Sequence, residues 1–390
     1  MRLLTFSTLF PHAGRPNHGI FVENRLRHLL ATGEATSTVL APVPWFPSAS
    51  ARFGDWARHA MAPPHEVRDG LHVHHPRYAL LPRVGMLSAP ASLFLAGRRR
   101  LRQLLRAGLQ FDLIDAHYLY PDGVAAVALG RTFGKPVVVT ARGSDVTQYP
   151  AYAGPRRMIR WAMANAAALI SVSAGLRDAM VGLGASPGSV TVLRNGVDLT
   201  LFHPGDRDAA RRELCLTGPT LLSAGHLIPR KRHELVIEAL RLLPEWRLLI
   251  VGEGPERGRL EAAAAAAGVA DRVRLLGAWP HAAMPRLYAA ADLLVLASSR
   301  EGWANVLLEA MACGTPVVAS RIPGNPEVVR DPAAGRVVED NTPEGFAVAI
   351  RAVAAQNASR AGTRAYAEGF GWEATSAGQL DVFRRVLAGA

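Results

Sequence analysis

At 390 residues the chain is longer than the roughly 100–200 of a single domain, so two domains are the natural expectation. Its 49% hydrophobic and 19% charged residues are ordinary for a soluble globular protein, and no run of ~20 apolar residues is present, which excludes a spanning helix. A formal net charge of +12, dominated by arginine, narrows the partners to nucleic acid, an anionic membrane face or acidic small molecules.

The opening MRLLTFSTLF is too short for a signal peptide, and two cysteines, Cys215 and Cys313, imply no disulfide framework. A cytoplasmic protein is expected. Arg2–Thr8 reads as a first buried strand, followed by the loop PHAGRPNHG and a helix from about Ile20 to Ala31. The apolar runs TSTVLAP, LHVHHP, FDLIDAH, PVVVTA, ALISVS and VTVLR continue the series with helical or turn-rich segments between. Such alternation predicts a parallel sheet covered by helices on both faces, with ligands outside the carboxyl ends of the strands. Three places there deserve inspection. Gly19 opens the first helix, where free N–H groups suit a phosphate, although turn chemistry alone explains a glycine there. His117 ends FDLIDAH; a lone histidine at a strand end is more often structural than catalytic, but the carboxyl end of a parallel strand strengthens the functional case. Arg142, Ser144 and Asp145 follow PVVVT; Asp145 suits an acceptor hydroxyl or a local cap equally.

Between these lies APASLFLAGRRRLRQLLRAG, which couples Leu93, Phe94, Leu101, Leu104 and Leu105 with Arg98, Arg99, Arg100, Arg102 and Arg106. This suits first a solvated helix packed on the sheet, and after it one lying on an anionic membrane. No nucleic-acid signature accompanies the charge, so nucleic acid is not an expected partner. RNGVDLTLFHPGDRD, from Arg194, reads as the exit from the first domain, and Asp206 and Asp208 complement the dipole of the helix they open rather than bind metal.

A second alternating series runs through PTLLSAG, WRLLIVG, RVRLLG, DLLVLA, PVVAS and GRVVE, then turns helical. After its first strand, Lys231 stands where a helix begins and can meet a diphosphate, with His226, Arg230 and Arg232 nearby. Gly252 and Gly254 bracket the next turn and permit close backbone approach. The stretch SREGWANVLLEAMACGTPVVAS, Ser299–Ser320, predicts loop, helix, tight turn and strand, with Asn305 as N-cap, Glu309 in the first turn or so and Gly314 as the stop. An acid just inside a helix can accept two hydroxyls of a vicinal diol, and Glu301 on the preceding loop can hold a second sugar. The spacing suits a ligand with a sugar at each end and phosphate between.

EGWANVLLEAMACGTPVVAS resembles the Glu-x7-Glu signature of the family 4 retaining glycosyltransferases, which have the GT-B fold. HGIFVENRLRHL, the NGVD segment, SAGHLIPRKRHELVIEAL and VGEGPERGRL resemble that family's other motifs. The resemblance implies two doubly wound Rossmann-like domains facing across a cleft: acceptor-binding 1–197, nucleotide-sugar-binding 198–372, and a helix 373–390 returning to the first. It implies transfer from a UDP- or GDP-sugar to a sugar or lipid-linked acceptor in polysaccharide or glycolipid synthesis, with retention, no metal and no cofactor. Catalysis would fall to His117, Lys231 and Glu301. The donor would be held by Gly19, His226, Lys231, Gly252, Gly254, Glu301, Gly302, Trp303, Ala304, Asn305 and Glu309, with Glu309 on the ribose. Arg142, Ser144 and Asp145 would face the acceptor. His226 stands where the family's phosphate loop has arginine, which leaves Arg230 or Arg232 to compensate. The competing readings are a phosphorylase-like or epimerase-like enzyme on the same scaffold and a non-catalytic basic protein that binds membranes or nucleic acid. Lys135 and Lys231 are the only lysines, and neither lies in a cofactor-bearing string.

Overall fold

The computed structural model describes residues 1–80, 85–356 and 359–389. The region Pro76–Gly108, which holds the basic stretch APASLFLAGRRRLRQLLRAG, crosses four residues, 81–84, that lie outside the described ones. Two compact units result: Met1–Asn195 with Glu373–Ala390, and Gly196–Trp372.

The first unit is built on β1 (Arg2–Phe6), β2 (Thr36–Leu40), β3 (Val43–Pro44), β4 (His65–Arg68), β5 (Leu71–His74), β6 (Arg77–Tyr78), β7 (Leu113–His117), β8 (Val137–Ala141), β9 (Ala168–Ser171) and β10 (Val190–Val192). Eight of these form one sheet in the order β10-β9-β8-β7-β1-β2-β5-β4, and β3 pairs with β6 separately. All pairs of the large sheet are parallel except β4 with β5. Strands β7 and β8 are buried at every residue, which is why they read as unbroken apolar runs. The edge strand β4, HEVR, has no such run and escapes a hydrophobic reading. Its true signal is Asp69-Gly70, with φ of 44° and 85°, the pair that a tight hairpin favours.

The helix Gly85–Arg106 packs Leu93, Gly97 and Leu101 inward; a Cβ on Gly97 would meet Phe6 and Leu129 at 3.2 and 3.1 Å. The helix Glu373–Ala388 packs Leu380, Val382 and Phe383 into the core of Leu26, Val39, Leu113 and Ile170.

The second unit carries β11 (Thr220–Ala224), β12 (Arg247–Val251), β13 (Val273–Gly277), β14 (Leu293–Leu296), β15 (Val317–Ala319) and β16 (Gly335–Val337), all parallel, in the order β13-β12-β11-β14-β15-β16. Strand order reverses beside β11 here and beside β1 in the first unit. Such a switch point opens a crevice at the carboxyl end of the sheet, because the two flanking crossovers leave in opposite directions. The loops after β11 and β14 therefore lie side by side, as do those after β1 and β7.

Glycine also lets the loop after β12 close on the loop after β11. Gly252 has φ 144°, and a Cβ there would fall 1.9 Å from the Gly225 carbonyl oxygen; on Gly254 it would fall 2.3 Å from that of Leu227. The loops after β11 and β12 thus run backbone against backbone, with Leu227 N donating to Glu253 O at 2.9 Å. The expected close approach is realised between two loops of the protein itself. Gly252→Ala is expected to cost at least about 1–3 kcal/mol in urea unfolding. Gly258→Ala, with open space around its Cβ in the helix Arg257–Ala266, should instead stabilise by about 0.5–1 kcal/mol. Equal effects would refute the packing argument.

Candidate functional site

In the second unit the loops after β11 and β14 are tied together by both backbone and charge. Ser299 N donates to Arg230 O at 2.9 Å, and Arg230 Nη1 donates to Arg300 O at 2.7 Å. Between them lies the Glu301 carboxylate. Lys231 Nζ donates to its Oε1 at 2.7 Å, and Arg230 Nη1 stands 3.1 Å from Oε2. Burial alone would raise the Glu301 pKa, but the charges of Lys231 and then Arg230 outweigh it and hold the carboxyl below its usual range. Glu301 is ionised and its charge is matched. A Cβ on Gly225 would come within 3.0 Å of the Lys231 side chain, so this glycine gives the lysine its path.

The helix that follows is Asn305–Ala312, and it begins one residue earlier than the sequence suggests. Ala304 is the N-cap and no side chain caps the end, so Asn305 is the first helical residue and Glu309 sits in the second turn. The physical reason is packing: Trp303 and Ala304 are buried, which leaves the cap position to an apolar residue. Cys313 and Gly314 end the helix as expected, with Gly314 at φ 78°. Glu309 faces the helix Met284–Ala290 and the turn before it. There Tyr288 Oη donates to its Oε2 at 2.7 Å, and His281 Nε2 lies 3.1 Å from Oε1.

His226 is exposed, and its carbonyl accepts from Ile228 N and from His233 Nε2. Arg232 adopts a left-handed conformation, φ 51°, and forms the N-cap of the helix His233–Leu240. His233, overlooked in the sequence, is buried with Nδ1 2.8 Å from Ser223 Oγ; burial first and Lys231 second push it down to about 4, so it stays neutral.

In the first unit, Gly19 has φ 68° and closes against Leu9, whose carbonyl carbon would be 2.2 Å from an added Cβ. His117 is 1% exposed. Arg142 Nη2 donates to its Nδ1 at 2.6 Å, so the proton sits on Nε2, which faces Asp115 Oδ2 at 3.1 Å. Both ring nitrogens are engaged. Burial drives its pKa down to about 4, with Asp115 opposing and Arg142 assisting. The network continues through Asn195 Oδ1, which accepts from Arg142 at 3.0 Å and Arg25 at 3.3 Å, to Gln379, which accepts from Arg25 at 2.7 Å and donates to Asp115 at 3.1 Å. Arg25 and Gln379, 354 positions apart, carry no sequence signal of this pairing.

Asp145 is fully buried and accepts from the backbone N–H groups of Leu119, Arg142 and Gly143 at 2.7, 3.0 and 2.6 Å. Of its two expected roles, this geometry is the local cap. Ser144 Oγ pairs with Tyr118 Oη at 2.6 Å.

Residues 205–370 match the model of glycosyl transferases group 1, and residues 56–201 that of glycosyltransferase family 4. D-inositol 3-phosphate glycosyltransferase 1 of Catenulispora acidiphila is 32% identical over an alignment that covers 100% of this chain and 96% of the relative. The chain belongs to glycosyltransferase family 4. It is a glycosyltransferase. The D-inositol 3-phosphate glycosyltransferase of Segniliparus rotundus is 38% identical over 53% of this chain, and that match spans about half, 49%, of the relative. Among solved structures, sucrose-phosphate synthase from Thermosynechococcus elongatus superposes with a TM-score of 0.83 at 21% identity, covering 100% of this chain and 99% of that one. Anabaena HepE in complex with UDP-glucose gives 0.72 at 19%, covering 98% and 99%. At these identities the likeness is one of fold, and the fold is GT-B.

Two outcomes test this geometry. Gln379→Leu leaves Arg25 Nε without its acceptor in a buried network and should cost about 1–3 kcal/mol in urea unfolding; no change would show the network to be energetically idle. Burial would lower the His281 pKa, but the hydrogen bond and charge of Glu309 outweigh it and hold it above its usual value. Its contribution is therefore complete below about pH 6.5 and lost as pH rises through the raised value. The stability gap between wild type and His281→Ala should shrink on that side, and a gap flat from about pH 5.5 to 9 would contradict the pairing.

Proposed function

We propose that this glycosyltransferase moves a sugar from a nucleoside diphosphate sugar, with UDP or GDP as the leaving group, to an acceptor hydroxyl with retention and without a metal. The observation that carries the reading is the convergence of Lys231, Arg230 and Glu301 at one switch point of the second unit, with Glu309 on the helix that follows. The chemical obstacle in such a transfer is charge developing on the departing diphosphate. Lys231 is placed to meet it at the start of a helix, and Arg230 supplies the second cation where His226 replaces an arginine. Backbone N–H groups after Gly302 add to the same field. Glu301, which holds both cations in the free protein, yields them to the diphosphate and turns to the donor sugar. Glu309 takes the ribose. A one-face mechanism, in which the diphosphate accepts the acceptor's proton, needs no protein nucleophile and fits a site whose carboxylates are committed to binding. HepE, of like fold, was solved with UDP-glucose, which supports the donor class.

Arg142 and Ser144 are the acceptor-side candidates, with His117 positioned through Arg142. A cytoplasmic enzyme of polysaccharide or glycolipid synthesis, peripheral at the inner membrane face, is the setting we favour. Leu87 and Leu95 are 55% and 59% exposed on the helix whose far end carries the exposed Arg99, Arg102 and Arg106. That graded face suits an anionic bilayer surface. Among the described residues no helix is long and apolar enough to cross a membrane.

Thermal unfolding with UDP, GDP and ADP, with and without EDTA, tests the proposal. One nucleotide at ~100 times its dissociation constant should add about 2.7 kcal/mol, unaffected by EDTA and lost in Lys231→Ala. No stabilisation by any of them would favour the non-catalytic binding reading. Replacing Arg99, Arg102 and Arg106 by Gln should abolish flotation with anionic vesicles, and unchanged flotation would remove the membrane from the account.

A further inference from the structure

The Glu309 carboxylate is held by two side chains that no glycosyltransferase reading of the sequence singles out. Tyr288 is fully buried in the helix Met284–Ala290, and its hydroxyl donates to Oε2 at 2.7 Å. Its carbonyl is itself fixed, accepting from Thr315 Oγ1 at 2.5 Å and from Arg360 Nη2 at 3.5 Å. His281 Nε2 reaches the other oxygen, Oε1, at 3.1 Å. The ring of Phe202 closes the group, 5.1 Å from His281 edge to face and 6.0 Å from Tyr288. Burial and the neighbouring Glu309 charge hold the tyrosine well above its usual pKa, so it remains a donor at every physiological pH.

A carboxylate offers about four acceptor positions, two on each oxygen. Here one on each oxygen is engaged by a protein donor from a different element, so the carboxylate plane is fixed. The Glu309 side chain is still 12% exposed. One acceptor position per oxygen therefore remains for a ligand, and the two lie in a common plane as a pair of adjacent hydroxyls requires. A freely rotating carboxylate would lose conformational freedom on binding such a diol; a fixed one has already lost it.

We infer that Tyr288 and His281 are positioning residues for Glu309, and that they set the enzyme's preference for a donor nucleotide with an intact ribose diol over one without it. Neither touches the ligand; both act through the orientation of the carboxylate. The inference rests on Glu309 holding the ribose.

The test is calorimetric titration of the stabilising nucleoside diphosphate and of its 2′,3′-dideoxy counterpart into wild type, Tyr288→Phe, His281→Leu, His281→Gln and Glu309→Gln. Wild type should prefer the ribonucleotide. Tyr288→Phe and His281→Leu should each weaken the ribonucleotide about 3- to 10-fold while leaving the dideoxy form within about twofold. His281→Gln, which keeps an N–H donor, should restore part of the preference. If Tyr288→Phe and His281→Leu weaken both nucleotides equally, or neither, while Glu309→Gln abolishes the preference, the positioning role is overturned and the ribose role of Glu309 stands. If Glu309→Gln keeps the preference, both are overturned. Should Tyr288→Phe fail to fold, the two His281 variants decide the matter alone.

Discussion

A largely buried carboxylate is costly unless its charge is matched, and in this protein the matching of Glu301 ties together two loops at the carboxyl edge of the second unit's sheet. Lys231 and Arg230 come from the loop after β11, and Glu301 from the loop after β14. The two loops meet because strand order reverses between those strands. The ion cluster is thus a consequence of topology. Two cations share one carboxylate there, so the cluster keeps a net positive charge at the crevice.

The first unit solves a similar problem differently. Its buried polar groups form a continuous network in which two guanidinium groups, Arg25 and Arg142, surround Asp115, His117, Asn195 and Gln379. Here neutral hydrogen-bonding groups rather than ion pairs absorb most of the donors, and the histidine is kept neutral by burial. Gln379 brings the returning C-terminal helix into this network, so the chain's last element is anchored by a specific polar contact as well as by Leu380 and Phe383.

Much of this was legible in the sequence because buried parallel strands leave unbroken apolar runs, and each of the thirteen runs read as strands corresponds to a strand of the two sheets. The edge hairpin was missed because HEVR alternates between half-burial and exposure and carries no such run. Glu301 and Glu309 stood out because their spacing is local, and Lys231 because it is one of only two lysines and stands where a helix begins. Their partners did not: Tyr288 and His281 lie 21 and 28 positions before Glu309, and Arg25 lies 354 before Gln379. Contacts of that range are set by tertiary packing, to which a one-dimensional pattern is blind. The N-cap was misplaced for a related reason, since burial of Trp303 and Ala304 overrode the local preference of Asn305 for the capping position.

The most direct test is a crystal structure of the chain with the nucleoside diphosphate that stabilises it most. The account requires the diphosphate within hydrogen-bonding distance of Lys231 Nζ, Glu301 released from at least one of its two cations, and the ribose hydroxyls on Glu309. A nucleotide bound elsewhere, with Glu301 still holding both Lys231 and Arg230, would contradict it.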